Sequence, residues 1–510
     1  MVTLTQSLFD NGPFAPCPEH FNLADYVLNA GRATPDKPAL EIFSPSGKTS
    51  VSHAELRHQV MCFAKALEGL ELPEGAVILL RIGHDILFPI AFLGAIAAGF
   101  VPVPTSADLT RAEVLKLAEE LQPNLTLFGP GAPRIKGFPY RHQTTDDLNI
   151  PEQAHDFEAK LGDPNRLAYI IYTSGTSGRA MAVQHAHRAI WARRMMWRDW
   201  YDLSPSDRVF HAGAFNWTFT LGTGLLDPWS IGATSLIAAR DVDHSMFPDL
   251  IATSGATIFA AAPGVYRRML KERDLPALPD LRHCLSAGEK MPPTLRADWK
   301  ARTGQDVFEA LGMSEVSTFI SQPAYETPKV TSAGRPQQGR RVAVLDRQTL
   351  DVVALETPGI LALDRFDPGL MLGYRYAPAE TAAKFHNDWF LTGDTVSMDA
   401  SGAITYLGRA DDMMNAGGFR VSPLEVETAF LADPRIREAA AFEAEVRENV
   451  YVIALAYVAD QDIESDALEA IARQNLATYK RPRLYQRLDS LPKGANNKIK
   501  RSALRALNKA

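Results

Sequence analysis

The sequence predicts an α/β protein in two parts. A large N-terminal domain of α/β subdomains carries a small β subdomain and is followed by a small α+β C-terminal domain. Three observations lead there. From about residue 22, apolar runs of strand length alternate with helix-length amphipathic stretches. Short β runs and turn residues fill Val342–Asp364. A glycine pair and a helix-start signal then open a final unit of about 100 residues, a size that suits a separate domain.

Taken in order, Ala76–Arg81 and Phe100–Pro104 read as strands around a helical Ile86–Ala98. Leu125–Phe128, Leu167–Tyr172, Arg208–His211, Thr234–Ile237, Thr257–Ala260 and Leu281–Ser286 continue the strand series. Such alternation predicts largely parallel sheets covered on both faces. Ile404–Leu407 is the last strand before a boundary near Gly408–Asp412, giving domains of residues 1–409 and 410–510. Beyond Asn415-Ala-Gly-Gly418, the segment Ser422-Pro-Leu-Glu425 spells a capping box with proline at the first helical position. The helix it opens runs to about Leu431, followed by strands Glu438–Phe442 and Val450–Val458, a helix over Ser465–Leu476 and a basic tail.

Composition excludes several classes. A net charge of −7 argues against a general nucleic-acid binder. Cys17, Cys62 and Cys284 are too few and too scattered for a disulfide framework or a cysteine metal cluster. The first residues lack the basic region and apolar core of a signal peptide, so a cytoplasmic location is expected. Ile86–Val103 is uncharged over 18 residues, but Pro89, Gly94, Gly99 and Pro102 interrupt it. It reads as a buried helix and a buried strand rather than a membrane span.

The chemistry-bearing segment is Tyr172-Thr-Ser-Gly-Thr-Ser-Gly178, directly after the apolar run Leu167–Ile171. Glycines let the backbone approach a ligand closely, and hydroxyls with free N–H groups suit phosphate oxygens. Alone, the segment reads as a phosphate cradle or, more readily, as a Ser/Thr/Gly surface turn.

Four more segments accompany it. They are Leu311-Gly-Met-Ser-Glu315, Thr392-Gly-Asp394, Gly408-Arg-Ala-Asp-Asp412 with Gly418-Phe-Arg420, and Pro492-Lys-Gly-Ala-Asn-Asn-Lys498. In this order the set resembles the acyl-adenylate-forming superfamily of AMP-binding enzymes, from about Phe21 to Leu507. Ser286-Ala-Gly-Glu289 and Leu311 before Gly312 are most similar to benzoate-type and medium-chain acyl-CoA ligases.

The resemblance implies an ATP-dependent carboxylic acid:CoA ligase that uses ATP, Mg²⁺ and coenzyme A. It implies that Thr173, Ser174, Gly175, Thr176, Ser177 and Gly178 wrap the β- and γ-phosphates, and that Glu315 holds Mg²⁺. Ser314 would stand near the α-phosphate, in a segment with Leu311, Gly312 and Met313. Gly288 and Glu289 would lie along the adenine, and Asp394 with Arg409 at the ribose. Lys498 would bridge the carboxylate and the α-phosphate. Asp411 would be the hinge of a mobile C-terminal domain, which would bring Gly417 and Gly418 to the thiol tunnel, with Arg420 a further cofactor-binding residue. Two departures bear on nucleotide binding. Ala180-Met181 stands where the family has Pro-Lys, beside Arg179, and Asn497 replaces a common glycine.

The acid pocket implied by the family maps to His211–Gly222, Ala261–Gly264 and the residues after Glu315. It includes His211, Phe215, Trp217, Thr218, Ala262, Ser286, Ala287 and Phe319, with Phe219 among its aromatics. These segments carry no Lys, Arg, Asp or Glu. An apolar lining favours a neutral ring or chain, so an aromatic or alicyclic acid is expected first and a medium-chain fatty acid next. A carrier-protein-loading enzyme and a non-catalytic nucleotide-binding relative are the alternatives. Small molecules are the expected partners, with no nucleic acid and no membrane span, and a homodimer is left open.

Overall fold

The computed structural model describes residues 4–130, 132, 134–172, 181–271, 275–409, 412–416, 419–447, 450–493 and 499–507; side chains are described for all of these except residues 415, 416, 419, 420, 447 and 450. The uncharged run becomes helix Leu87–Ala97 followed by strand Val101–Pro104. The helix is buried from Phe88 to Ala97, which is why it lacks a polar stripe. Gly94 lets helix His53–Glu68 approach it; a Cβ there would lie 3.1 Å from Phe63 and 3.2 Å from the Val60 carbonyl. Among the described residues no helix is long and apolar enough to cross a membrane.

Strand Val101–Pro104 joins Val77–Arg81, Leu125–Phe128 and His142–Thr144 in an all-parallel four-stranded sheet. A second sheet has nine strands. Its centre is parallel, running from Val307–Met313 through His283–Ala287, Ile258–Ala261, Arg208–His211 and Thr234–Ala238 to Pro38–Ser44. Both edges are antiparallel: Gly47–Ser52 at one side, Ser317–Ser321 and Arg335–Pro336 at the other. One apolar cluster around Phe210, Phe259 and Trp299 and another around Trp200, Ile258 and Leu285 cover its two faces. The doubly covered parallel sheet expected from the strand series is therefore present.

One member of that series sits elsewhere. Leu167–Tyr172 does not join a parallel sheet but pairs antiparallel with Ala182–Ala186, so the hydroxyl-rich segment joins the two strands of a hairpin. An apolar run carries no information on the direction of its partner, and Ala182-Val-Gln-His-Ala186 is too polar to read as a strand on its own.

The β-rich stretch is part of a six-stranded antiparallel sheet built from Leu8–Asp10, Arg341–Leu345, Gly359–Asp364, Phe385–His386, Trp389–Met398 and Ile404–Arg409. The C-terminal segment has a core of its own, centred on Met414, Phe430, Leu455 and Tyr457. Strands Glu438–Arg447 and Val450–Val458 form its hairpin, and Leu484–Arg487 adds in parallel. Helix Pro423–Leu431 starts where expected, with the Ser422 hydroxyl accepting the Glu425 N–H at 3.3 Å. The reciprocal half of the capping box does not form. The Glu425 carboxylate instead takes the Lys480 ammonium at 2.5 Å, a charged partner that outcompetes a backbone N–H.

Candidate active site

Strand register brings Asp394 and Arg409 together. Trp389–Met398 and Ile404–Arg409 pair antiparallel with the two residues directly opposite. The Arg409 guanidinium donates to Asp394 Oδ1 at 3.0 Å and to the Thr392 carbonyl at 3.2 Å. Gly393, at φ +81°, leaves it room; a Cβ there would lie 3.2 Å from Arg409 Nη2. Tyr406 donates its hydroxyl to the same Oδ1 at 3.3 Å. Burial opposes the charge on Arg409, but Asp394 together with Tyr406 and Glu315 outweighs it and holds the guanidinium more firmly protonated than usual.

A tight hairpin presents Ser314 and Glu315. Gly312 is required there, because a Cβ would lie 2.5 Å from the Ser317 carbonyl oxygen. Ser317 itself takes a left-handed conformation, φ +68°. His185 donates from Nε2 to the Ser314 carbonyl at 2.8 Å, and the Met371 N–H donates to the Glu315 carbonyl at 2.8 Å. The Tyr374 hydroxyl donates to Glu315 Oε1 at 2.7 Å. Burial and then the Glu315 charge push the Tyr374 phenol upward, while Arg409 pulls it down. Glu315 in turn adds to the field that keeps Arg409 protonated, so the two carboxylate clusters share one electrostatic environment.

The third group surrounds His211, at the end of its parallel strand. His211 Nδ1 faces the Gly213 N–H at 3.0 Å and the Thr220 hydroxyl at 3.1 Å. The proton therefore sits on Nε2, which is buried and has no hydrogen-bond partner among the described residues. Burial pushes the imidazole down to about 3, so it is neutral. Phe219 and Trp217 stand edge-on to it, with centroids 4.5 and 5.9 Å away. Trp217 reaches on towards Gly288, whose Cβ position would be 4.0 Å from Trp217 Cζ2. Gly288 is exposed with φ +93°, and Glu289 beside it is half-buried.

The remaining expected pocket residues divide. Ala287 shares the His211 face of the sheet, whereas strand alternation turns Ser286 to the opposite face with Ala261 and Cys284. Phe215 is buried in the N-terminal core, its N–H donated to His84 Nδ1 at 2.9 Å. Phe319 is fully buried among Val342, Leu361 and Phe390, in the β-subdomain core rather than on an open wall. Thr218 is exposed, and Ala262 is half-buried just after strand Ile258–Ala261. Leu311 and Met313 pack against the β-subdomain core, as does Met181. Thr173–Gly178, Asp411, Gly417, Gly418 and Lys498 lie outside the described residues, as does the side chain of Arg420. A cavity of about 280 Å³ lies instead beneath the N-terminal segment, lined by Phe14, Arg194, Arg198 and Gln338 among others and by none of the expected site residues.

Sequence reasoning missed Tyr374, Tyr406 and His185. Tyr406 lies two residues before Gly408 and Tyr374 follows Gly373, but nothing in periodicity marks either as a partner of a distant carboxylate.

Among the described residues no three His, Cys, Asp or Glu side chains converge on one point. Glu315 nevertheless fits Mg²⁺: it offers hard oxygen ligands, and the Tyr374 hydroxyl holds its Oε1 in place. Mg²⁺ characteristically combines one or two carboxylates with phosphate oxygens and water, so a single carboxylate suffices beside a triphosphate.

The AMP-binding enzyme family matches residues 28–375, and the AMP-binding enzyme C-terminal domain matches residues 425–498. The chain belongs to the AMP-binding enzyme family. It is similar to 3-hydroxybenzoate–CoA ligase of Aromatoleum sp. (strain CIB), at 28% identity over 96% of this chain and 97% of the relative. Benzoate–CoA ligase of Thauera aromatica is 29% identical over 99% of this chain and 100% of the relative. The crystal structure of the anthranilate CoA ligase AuaEII with anthranoyl-AMP shares the fold, with a TM-score of 0.86 and 24% identity over 96% of this chain and 98% of that one. Within the family the chain is an AMP-forming acyl-CoA synthetase.

Proposed function

We propose that the protein activates an aromatic or alicyclic carboxylic acid as its CoA thioester. The observation that carries the acid class is the wall at the end of the Arg208–His211 strand. His211, Trp217, Phe219, Ala287 and Gly288 offer rings, small residues and two neutral side-chain N–H donors, His211 Nε2 and Trp217 Nε1, with no charged side chain among them. A ring fits such a lining, and an ammonium or a second carboxylate would be left unpaired in it. The hydroxybenzoate and benzoate ligases among the relatives support the same class.

In this reading a carboxylate oxygen of the acid attacks the α-phosphorus of ATP, the bond to the bridging oxygen breaks, and pyrophosphate leaves. The thiol sulfur of CoA then attacks the acyl carbon, its proton passes to solvent, and AMP departs. Asp394 accepts hydrogen bonds from the ribose hydroxyls, and Arg409 orients that carboxylate. Glu315, fixed by Tyr374, offers its second oxygen to Mg²⁺. When bound, Mg²⁺ supplies positive charge against the phosphate oxygens. Thr173–Gly178 cradle the phosphates, and Lys498 links the two reacting anions before the C-terminal domain, residues 410–510, turns about Asp411. Gly417 and Gly418 then border the thiol path.

Pyrophosphate release over a panel of acids, with and without CoA, tests the reading. Benzoate-like acids should give ATP- and CoA-dependent thioester. Release without any thioester points to a carrier-protein acceptor, and a panel on which only linear acids turn over refutes the ring assignment.

A further inference from the structure

The Ser314–Glu315 hairpin is held by a device that none of the motifs contains. Ser317 closes it in a left-handed conformation, which costs a non-glycine residue on the order of 1 kcal/mol and persists only where neighbours enforce it. The neighbour is Arg193, whose Nη1 donates to the Ser317 hydroxyl. Arg193 is itself clamped by Asp227, with Nε to Oδ1 at 2.8 Å and Nη2 to Oδ2 at 2.5 Å. The Asp227 side chain is fully buried and that of Arg193 is 12% exposed. The Tyr201 hydroxyl adds a bond to Asp227 Oδ2 at 2.7 Å and another to Thr223 at 2.8 Å.

The pair spans two parts of the site. Asp227 follows directly on the π-helical segment Thr220–Leu226, and such segments recur at functional sites. Thr220, at its start, is the residue against His211 Nδ1. Gly222 lies where the guanidinium passes; a Cβ there would be 2.5 Å from Arg193 Nη2. One end of the strut thus lies at the segment whose first residue, Thr220, contacts His211, and the other touches Ser317 at the Glu315 turn.

We propose that Arg193, clamped by Asp227, is a positioning residue that fixes the Ser314–Glu315 turn through Ser317 and sets its place relative to the acid wall. This rests on the adenylation reading of Glu315. Arg193 touches no substrate; it acts by removing freedom from the turn that meets the phosphates.

Ser317→Gly is the discriminating variant. Glycine adopts the left-handed conformation without strain, so the fold is retained, and the small hydroxymethyl side chain with its hydroxyl is lost. With wild-type protein as reference, acid-dependent pyrophosphate release should fall about tenfold in kcat, as expected for one lost hydrogen bond to a charged group. The Mg²⁺ concentration for half-maximal rate should rise several-fold, and KM for the acid should stay within about twofold, because the π-helical wall is untouched. Arg193→Lys, which keeps the charge but loses the fork, should shift the Mg²⁺ dependence in the same direction. Adding Ser317→Gly to it should cost little more. Unchanged kcat and Mg²⁺ dependence in Ser317→Gly would overturn the proposal, as would a loss seen only in thermal stability. Wild-type protein that releases no pyrophosphate with any acid would instead refute the proposed function itself.

Discussion

Asp394→Asn removes one charge and leaves the shape of the Asp394–Arg409 pair intact. Across 3.0 Å at an effective dielectric near 20, the gross attraction is roughly 5 kcal/mol, of which desolvation cancels much. Arg409 is 26% exposed and Asp394 only 6%, so water screens one partner and not the other. A net stability loss of about 1–3 kcal/mol follows, since asparagine still offers Oδ1 to Arg409 and Tyr406. The catalytic effect is separable. A ribose hydroxyl that donates to a carboxylate gains about 1.5–3 kcal/mol over an unmade bond, so KM for ATP should rise roughly tenfold or more. The assay compares ATP with 2′-deoxy-ATP in both proteins, at saturating acid and CoA. Wild-type protein should prefer ATP, and the variant should lose most of that preference. If Asp394→Asn raised KM equally for both nucleotides, or for neither, the ribose assignment would be wrong. A variant as stable to urea as the wild type would show instead that Arg409 does not depend on the charge.

Tyr374→Phe should raise the Mg²⁺ concentration needed for half-maximal rate by roughly tenfold, because Glu315 loses the phenol that fixes Oε1 and becomes free to turn. A Mg²⁺ titration of pyrophosphate release checks this, and an unchanged midpoint would contradict it. Acid should destabilise the protein well above the carboxylate range. Burial pushes His185 and His283 down to about 4, and His187 and His211 to about 3, against an ordinary value near 6.5. Between those limits the unfolded chain binds protons that the folded chain does not, so stability is full above about pH 6.5 and falls as the pH drops below it. Each histidine contributes up to about 1.4 kcal/mol per pH unit, which urea unfolding at pH 7 and pH 5.5 would measure.

The parallel sheet was legible because its strands are apolar on both faces, as Arg208–His211 and Thr234–Ala238 show. Pairing direction was not legible, and Leu167–Tyr172 therefore appeared to belong with them rather than in its hairpin. Thr392-Gly-Asp394 and Gly408-Arg409 could each be read as a motif, yet only the ladder places them on one rung. Ser286 and Ala287 are adjacent in sequence and were expected to share a wall, but a strand sends neighbours to opposite faces. Phe319 and Trp217 look alike as aromatic positions, although one fills a core and the other stands half-exposed over Gly288. Tyr374 and Arg193 matter only through residues far away in the chain, a relation that local pattern does not encode.

The pairing of Leu8–Asp10 with Arg341–Leu345, and of Pro38–Ser44 with Thr234–Ala238, has a consequence for how the chain is made. Early segments are stitched into sheets whose other strands leave the ribosome much later. At 5–20 residues per second, Leu8 waits roughly 17–70 s for Ala343 to be synthesised. Through that interval the nascent chain carries unpaired strand edges, features that invite aggregation and chaperone binding. Yield of active protein should therefore depend on the rate of translation and on chaperone supply more than on the stability of the finished fold.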